Sequence, residues 1–433
     1  MLSVHTLSEM YCLLLGLLAV VSATYPNDVD HSIVFPNGGL SNKSVTGFIN
    51  ISESSETFYW LFYAHEAAES KPLLVWVQGQ IGVSSLFGVL NEFTPSWLDQ
   101  YNVLFIDAPV GTGFSHTHKA SELATTSEQI GSQIFHFLNI FFDRHESQIG
   151  NKIVIAGEDY AGHTIPVLAA LIVHEHGRRD TSKKFELIGT AVGNGHTHAP
   201  IQVITKAESA AMFGLVDGPC LVEARQHAWL ASVYSVIGKT SDSLVQRNKL
   251  EETIKNCAKG IDMSDVSKLT AESHPETLMA TVQDWMNNST LVSAIGVPTD
   301  VIYVAKNETV FAALKPDIMR VIWQYIPPVL AAGVPMLWYQ GQVDWVDGVY
   351  SNEAWINALE WKGAKAYASA PRVDWEGGYK RSSGPLTEAE VLGTGHLAIR
   401  EKPEVISSLF ASVFAKSALP NLKQPENEQI VLM

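Results

Sequence analysis

Five short apolar runs, several of them separated by helical patterns, constrain this chain most. They are Leu73–Val77, Val103–Ile106, Ile153–Ala156, Leu187–Val192 and Met336–Tyr339, and most end in Gly or Asp at a loop. Runs this short, rich as a group in β-branched residues, read as strands buried on both faces. Between them, Ser127 to Phe142 places Ile130, Ile134, Phe137, Leu138 and Phe141 on one helical face. Strands alternating with helices imply an α/β fold, a mostly parallel central sheet with helices on both faces. In such sheets ligands sit beyond the carboxyl ends of the strands, where the Gly and Asp residues fall.

From about His198 to Val297 the strand rhythm stops, and Cys220 to Met286 is charged and helix-rich in composition. Residues 198–297 therefore read as a helical cap insertion between two parts of a core, 24–197 and 298–416, with 417–433 a loose tail. Leu13 to Val21 is an apolar stretch of leader length, and Val21-Ser22-Ala23 is a small-residue cleavage pattern. Residues 1–23 read as a signal peptide; the bland alternative is a buried N-terminal helix. The stretch is short for a bilayer span and nothing later in the chain is long and apolar enough, so stable membrane insertion is not expected. Asn42, Asn50, Asn287, Asn288 and Asn307 each begin an N-x-S/T triplet, which agrees with a secreted or lysosomal (vacuolar) destination. Cys12 leaves with the leader, so Cys220 and Cys257 are the candidates for a disulfide. The formal charge of −16 and the lack of a basic run argue against nucleic acid as a partner. With fifteen histidines, the chain approaches neutrality in an acidic compartment.

Gly157-Glu158-Asp159-Tyr160-Ala161-Gly162 lies between the strand Ile153–Ala156 and a helix through Val167–His174. Strand, tight turn and helix are the setting of a nucleophile elbow, in which a strained turn lifts one side chain clear of the sheet. Small neighbours let backbone approach backbone, and Asp tolerates the positive φ of an elbow better than most residues. Alone, the hexapeptide would read as an ordinary β-to-α turn. Further along, Asp344 follows a strand in Gly341-Gln342-Val343-Asp344, and His396 follows another apolar run in Gly393-Thr394-Gly395-His396. Elbow, acid and histidine in that order are the α/β-hydrolase arrangement.

At these residues, and across nearly the whole mature chain, the sequence resembles the serine carboxypeptidases. Lys71-Pro72-Leu73-Leu74-Val75-Trp76 leading to Gly82-Val83-Ser84-Ser85 is similar to the family's oxyanion segment. Asn102 to Asp107 with Pro109-Val110-Gly111-Thr112-Gly113-Phe114-Ser115 resembles its most recognisable block, and Gly193-Asn194-Gly195 the segment before its cap. Trp338 to Gln342 and Glu360-Trp361-Lys362-Gly363 look most like the vitellogenic carboxypeptidase-like branch. The resemblance implies release of C-terminal amino acids from peptides, with Asp344 orienting the general base His396. It makes the Tyr160 backbone N–H an oxyanion donor. It also assigns Glu92, Glu158 and Gln78 (an Asn in the family) to the substrate's free carboxylate, the two carboxyls working partly protonated. The implied partner is a peptide or protein C-terminus; dimers occur in the family, so a homodimer is among the expectations. No cofactor is implied.

Besides Gln78, three positions depart from that pattern. The family needs serine at 159, whose hydroxyl the histidine deprotonates; Asp159 has no such proton, and a carboxylate is a poor nucleophile towards an amide. Gln80 stands where a glycine N–H completes the oxyanion hole, followed by Ile81 instead of proline, and one lost donor costs about a hundredfold in rate. The leading expectation is an inactive homologue that keeps its cleft and binds C-termini. Behind it stands an active hydrolase with Asp159 as nucleophile at an sp³ carbon, as in haloalkane dehalogenases and epoxide hydrolases. Residual peptidase activity through a water held by Asp159 and His396 ranks lower. The H-x-H pairs His116/His118, His174/His176 and His196/His198 read as surface or loop histidines before zinc ligands. Trp60, Trp76, Trp323 and Trp338 read as core.

Overall fold

The computed structural model describes residues 28–32, 40, 42–178, 184–270 and 275–414. The leader at 1–23 and the tail at 417–433 lie outside the described residues. The strands are β1 (Val29–Ser32), β2 (Lys43–Asn50), β3 (Ser55–Phe62), β4 (Leu73–Val77), β5 (Asn102–Ile106), β6 (His116–Thr117), β7 (Lys152–Glu158) and β8 (Glu186–Gly193). After the insertion's hairpin, β9 (Ile261–Asp262) and β10 (Asp265–Leu269), come β11 (Met336–Gly341), β12 (Val373–Trp375), β13 (Gly378–Ser383) and β14 (Leu386–Val391). Twelve form one sheet in the order β1-β2-β3-β5-β4-β7-β8-β11-β14-β13-β12, with β6 paired to β3. Its six central strands, β5 to β14, run parallel, and the flanking ones are antiparallel.

All five apolar runs are central strands. Because side chains alternate, β4 sends Leu73, Val75 and Val77 into one core cluster and Leu74 and Trp76 into the other. The first cluster is closed by α2 (Ser127–His145), which follows α1 (Leu86–Asn91), by α3 (Ala161–Arg178) and by α4 (Ala199–Met212). Thr126 caps α2 by accepting from the Gln129 N–H, and Ile130, Ile134, Phe137, Leu138 and Phe141 are its buried face.

The insertion is more mixed than its composition suggests. Helices α4, α5 (Gly218–Val236) and α6 (Thr240–Ala258) pack side by side, and Cys220 at the start of α5 is disulfide-bonded to Cys257 at the end of α6. Next comes the β9–β10 hairpin. Helices α7 (Pro275–Met286) and α8 (Ser289–Ala294) then place Val282, Met286 and Leu291 in the second cluster, away from α4 to α6. The hairpin escaped sequence reading because it buries little: β10 shows one buried residue in five.

Candidate active site

The parallel strands bring their carboxyl ends to one edge of the sheet, and the expected site residues gather there. Gln78 follows β4, Glu158 ends β7, Asp159 and Tyr160 follow it, Asp344 lies just beyond β11, and His396 lies beyond β14. Glu92 comes from the end of α1.

Asp159 sits at the top of a true elbow, with φ of 52°. Its N–H donates to Gly193 O at 3.1 Å, and its carbonyl accepts from Gly162 N at 2.9 Å and His196 N at 2.8 Å. The glycines are required: a Cβ on Gly157 would lie 2.2 Å from Val77 O, and one on Gly162 2.6 Å from His196 O. The Asp159 carboxylate points towards His396, whose Nε2 is 4.0 Å from Oδ2. His396 Nδ1 is 2.9 Å from Asp344 Oδ2.

Asp344 is wholly buried, and every donor it needs is present. Its Oδ1 accepts from Val346 N at 2.7 Å; its Oδ2 accepts from Asn194 Nδ2 at 2.7 Å and Asp347 N at 3.1 Å, besides His396. Burial alone would lower the histidine's affinity for a proton. The charge and hydrogen bond of Asp344, then the charges of Asp159 and Glu158, outweigh it and push His396 up to about 10. The imidazole is therefore charged at neutral pH. Burial raises the Asp159 carboxyl, against the opposing charge of His396.

The second group is built differently. Gln78, Glu92 and Glu158 are all buried, and the Gln78 amide bridges the two acids, with Nε2 at 3.0 Å from Glu158 Oε1 and 3.5 Å from Glu92 Oε1. The Trp76 indole N–H donates to Gln78 Oε1 at 3.1 Å and so fixes which way the amide faces. Burial pushes Glu92 up to about 7, and burial with the neighbouring Glu92 charge raises Glu158 well above the carboxylate range.

Between these groups, the backbone N–H groups of Gln80 and Tyr160 make no hydrogen bond among the described residues. The Gln80 side chain is exposed and Ile81 turns inward. The Tyr160 hydroxyl donates to Asp317, which also accepts from Arg320 Nη1 at 2.6 Å and Ser127 N at 3.2 Å. Beneath the oxyanion segment, among Ile81, Ile130, Tyr160, Thr164 and Leu314, remains a cavity of about 10 Å³, room for one water.

Trp76, Asn194 and Asp317 were missed as supporting residues. For Trp76 and Asn194 the signal, an indole or amide near a strand end, is indistinguishable from core until the strands are assembled; Asp317 lies in the short helical turn Lys315–Asp317, 157 residues from Tyr160, and carries no local signal. The H-x-H histidines are spent locally: His198 caps α4 by accepting from Ile201 N, and His196 Nε2 lies 2.7 Å from Ile318 O. His116 and His118 face each other with ring centroids 5.8 Å apart, and His174 lies on α3 beside Glu175. Of the sequons, Asn42, Asn287 and Asn307 commit Nδ2 to the carbonyls of Tyr63, Tyr303 and Gly111. Asn50 and Asn288 are exposed, and among the described residues their Nδ2 atoms make no such bond.

The profile of the serine carboxypeptidases matches residues 36–416. The chain is similar to the serine carboxypeptidase-like 48 of Arabidopsis thaliana, 27% identical over 82% of this chain and 74% of that one. It is also similar to the probable serine carboxypeptidase CPVL of Dictyostelium discoideum, 26% identical over 83% of this chain and 76% of that one. Its fold matches the crystal structure of KEX1(DELTA)P, a prohormone-processing carboxypeptidase from Saccharomyces cerevisiae. The TM-score is 0.77 at 20% identity, over 88% of this chain and 92% of that one. The chain belongs to the serine carboxypeptidase family.

Proposed function

We propose that this protein recognises the free C-terminus of a peptide or protein and does not cleave it. One observation carries the reading: a buried Gln78–Glu92–Glu158 group stands beside an elbow whose side chain is a carboxylate facing a charged histidine. A peptide's carboxylate meets two acids that keep protons below about pH 7, so they can donate to it instead of repelling it. The Gln78 amide adds a third donor, already turned into place by Trp76. For cleavage, by contrast, an attacking group must be activated by a neutral base. Asp159 has no proton to give up, and His396 already holds one.

The same charge state weighs against Asp159 attacking an sp³ carbon, because His396 would then have to activate the water that opens the ester. The setting is the secretory or lysosomal route, supported by the leader pattern and by the Cys220–Cys257 bond. The test is calorimetry at pH 5.5 with one blocked dipeptide as free acid and as amide, alongside assay of amino-acid release. The reading expects the acid to bind, the amide to bind at least tenfold more weakly, and no release. Equal binding of acid and amide, or turnover by the unaltered protein, would sink it.

A further inference from the structure

Asp344 is held by N–H groups of its own loop, and those groups must themselves be fixed. The hairpin β9–β10 secures the loop's first half, with Val266 N donating to Val343 O at 2.9 Å and Trp345 N to Met263 O at 3.1 Å. The next peptide group, between Val346 and Asp347, is the one that matters for the histidine. Its N–H donates to Asp344 Oδ2, the same oxygen that faces His396 Nδ1. Its carbonyl, on the opposite side of the same plane, accepts from Lys206 Nζ.

Lys206 is a lysine with no exposed surface, on the inner face of the cap helix α4. Burying an ammonium without compensation is strongly unfavourable. Here Glu251 of α6 lies 3.6 Å away, the Trp345 ring lies 4.8 Å below Nζ, and the Trp345 indole N–H returns a bond to the Lys206 carbonyl at 3.1 Å. One helical turn earlier, Gln202 Nε2 reaches Asp347 Oδ1 at 3.1 Å. The inner face of α4 thus holds the carbonyl of this peptide unit and the side chain of the residue that follows it.

We propose that Lys206 is a positioning residue, which from the cap fixes the Val346–Asp347 peptide so that its N–H holds the Asp344 carboxylate against His396. An ammonium on a carbonyl polarises that peptide, and the polarisation strengthens the bond its N–H makes on the far side. The cap is thereby coupled to the charge on the histidine. This holds whether the cleft only binds or also cleaves, since it concerns the Asp344–His396 pair alone.

The sign of one measurement separates positioning from plain charge. The charged and titratable groups around Lys206 are Glu251, Asp347, Arg247 and His196; those around His396 are Asp344, Asp159 and Glu158. Deleting a cation through space would raise the pH at which His396 loses its proton. Loosening Asp344 would lower it. The full chain, labelled with ¹⁵N-imidazole histidine, is titrated by NMR as wild type and as Lys206→Met. The expected result is a downward shift of about one pH unit for His396, with Glu251→Gln, which keeps the bond to Val346, leaving the titration in place. No shift, or an upward one, overturns the proposal. Should Lys206→Met not fold, Trp345→Phe removes the indole bond to the Lys206 carbonyl and must shift His396 in the same downward direction.

Discussion

At the carboxyl end of β7 two neighbouring residues stand in opposite electrostatic settings: Glu158, whose Oε1 lies 3.0 Å from Gln78 Nε2, and Asp159, whose Oδ2 lies 4.0 Å from His396 Nε2. On the Gln78–Glu92–Glu158 side, burial favours neutral carboxyls, with Glu92 pushed up to about 7. On the Asp159–His396–Asp344 side, the charge and hydrogen bond of Asp344 and the charge of Asp159 outweigh burial and push His396 up to about 10. The first is a set of donors waiting for an anion. The second already contains its anions. On the function proposed above, recognition and reaction are physically separable in this cleft: one depends on desolvated acids sharing protons, the other on the atom at a single position.

The largest test of that separation is Asp159→Ser. If the recognition half is intact, the new hydroxyl faces a histidine already oriented by Asp344, and release of amino acids from a blocked dipeptide should rise about a thousandfold over wild type. An unchanged, silent enzyme would place a second defect at Gln80, and Gln80→Gly in the same background would then be needed to recover turnover. Next in size is Glu158→Leu. It should weaken binding of the free-acid peptide about tenfold to a hundredfold by calorimetry, while the weak binding of the amide stays put. If acid and amide suffer alike, the group is not a carboxylate reader.

The smallest effect is on stability, and it separates the halves by pH. A carboxyl whose folded value is raised favours the fold below its ordinary range, and that contribution is lost as pH climbs through the raised value, here about 7 for Glu92. His396, also raised, holds its contribution in full only below its ordinary value and loses it progressively from there to about 10. Between pH 5 and 8 the melting temperature should therefore fall by about 3 °C, and Glu92→Gln should flatten the part of that fall below about pH 7. A slope unchanged by Glu92→Gln would mean that the pair is not where the protons are lost.

How much of this was readable in advance divides along the same physical line. The strands at 73–77, 103–106, 153–156, 187–192 and 336–339 were legible because an apolar run buried on both faces leaves no other choice. The helix at 127–145 was legible through its 3.6-residue stripe. The elbow was legible because close approach demands Gly157 and Gly162 on either side of Asp159. The edge strands β1, β2, β12 and β13 and the hairpin β9–β10 were not singled out; β13 and β10 bury one residue each, and such strands owe their pairing to neighbours. The insertion's last helices, α7 and α8, went to the opposite core cluster for a reason that composition does not encode.

By itself, then, the sequence determined the layered α/β architecture, the family, and which side chains reach the sheet's active edge, because each rests on local periodicity or on residues bound to a strand end. Tertiary structure alone decided what those side chains would be electrically. Lys206 and Val346 are 140 residues apart, Asn194 and Asp344 150, and Gln78 and Glu158 80. A buried group's charge depends on which partners lie within a few ångströms and on how little water reaches it, and both are properties of the assembled fold.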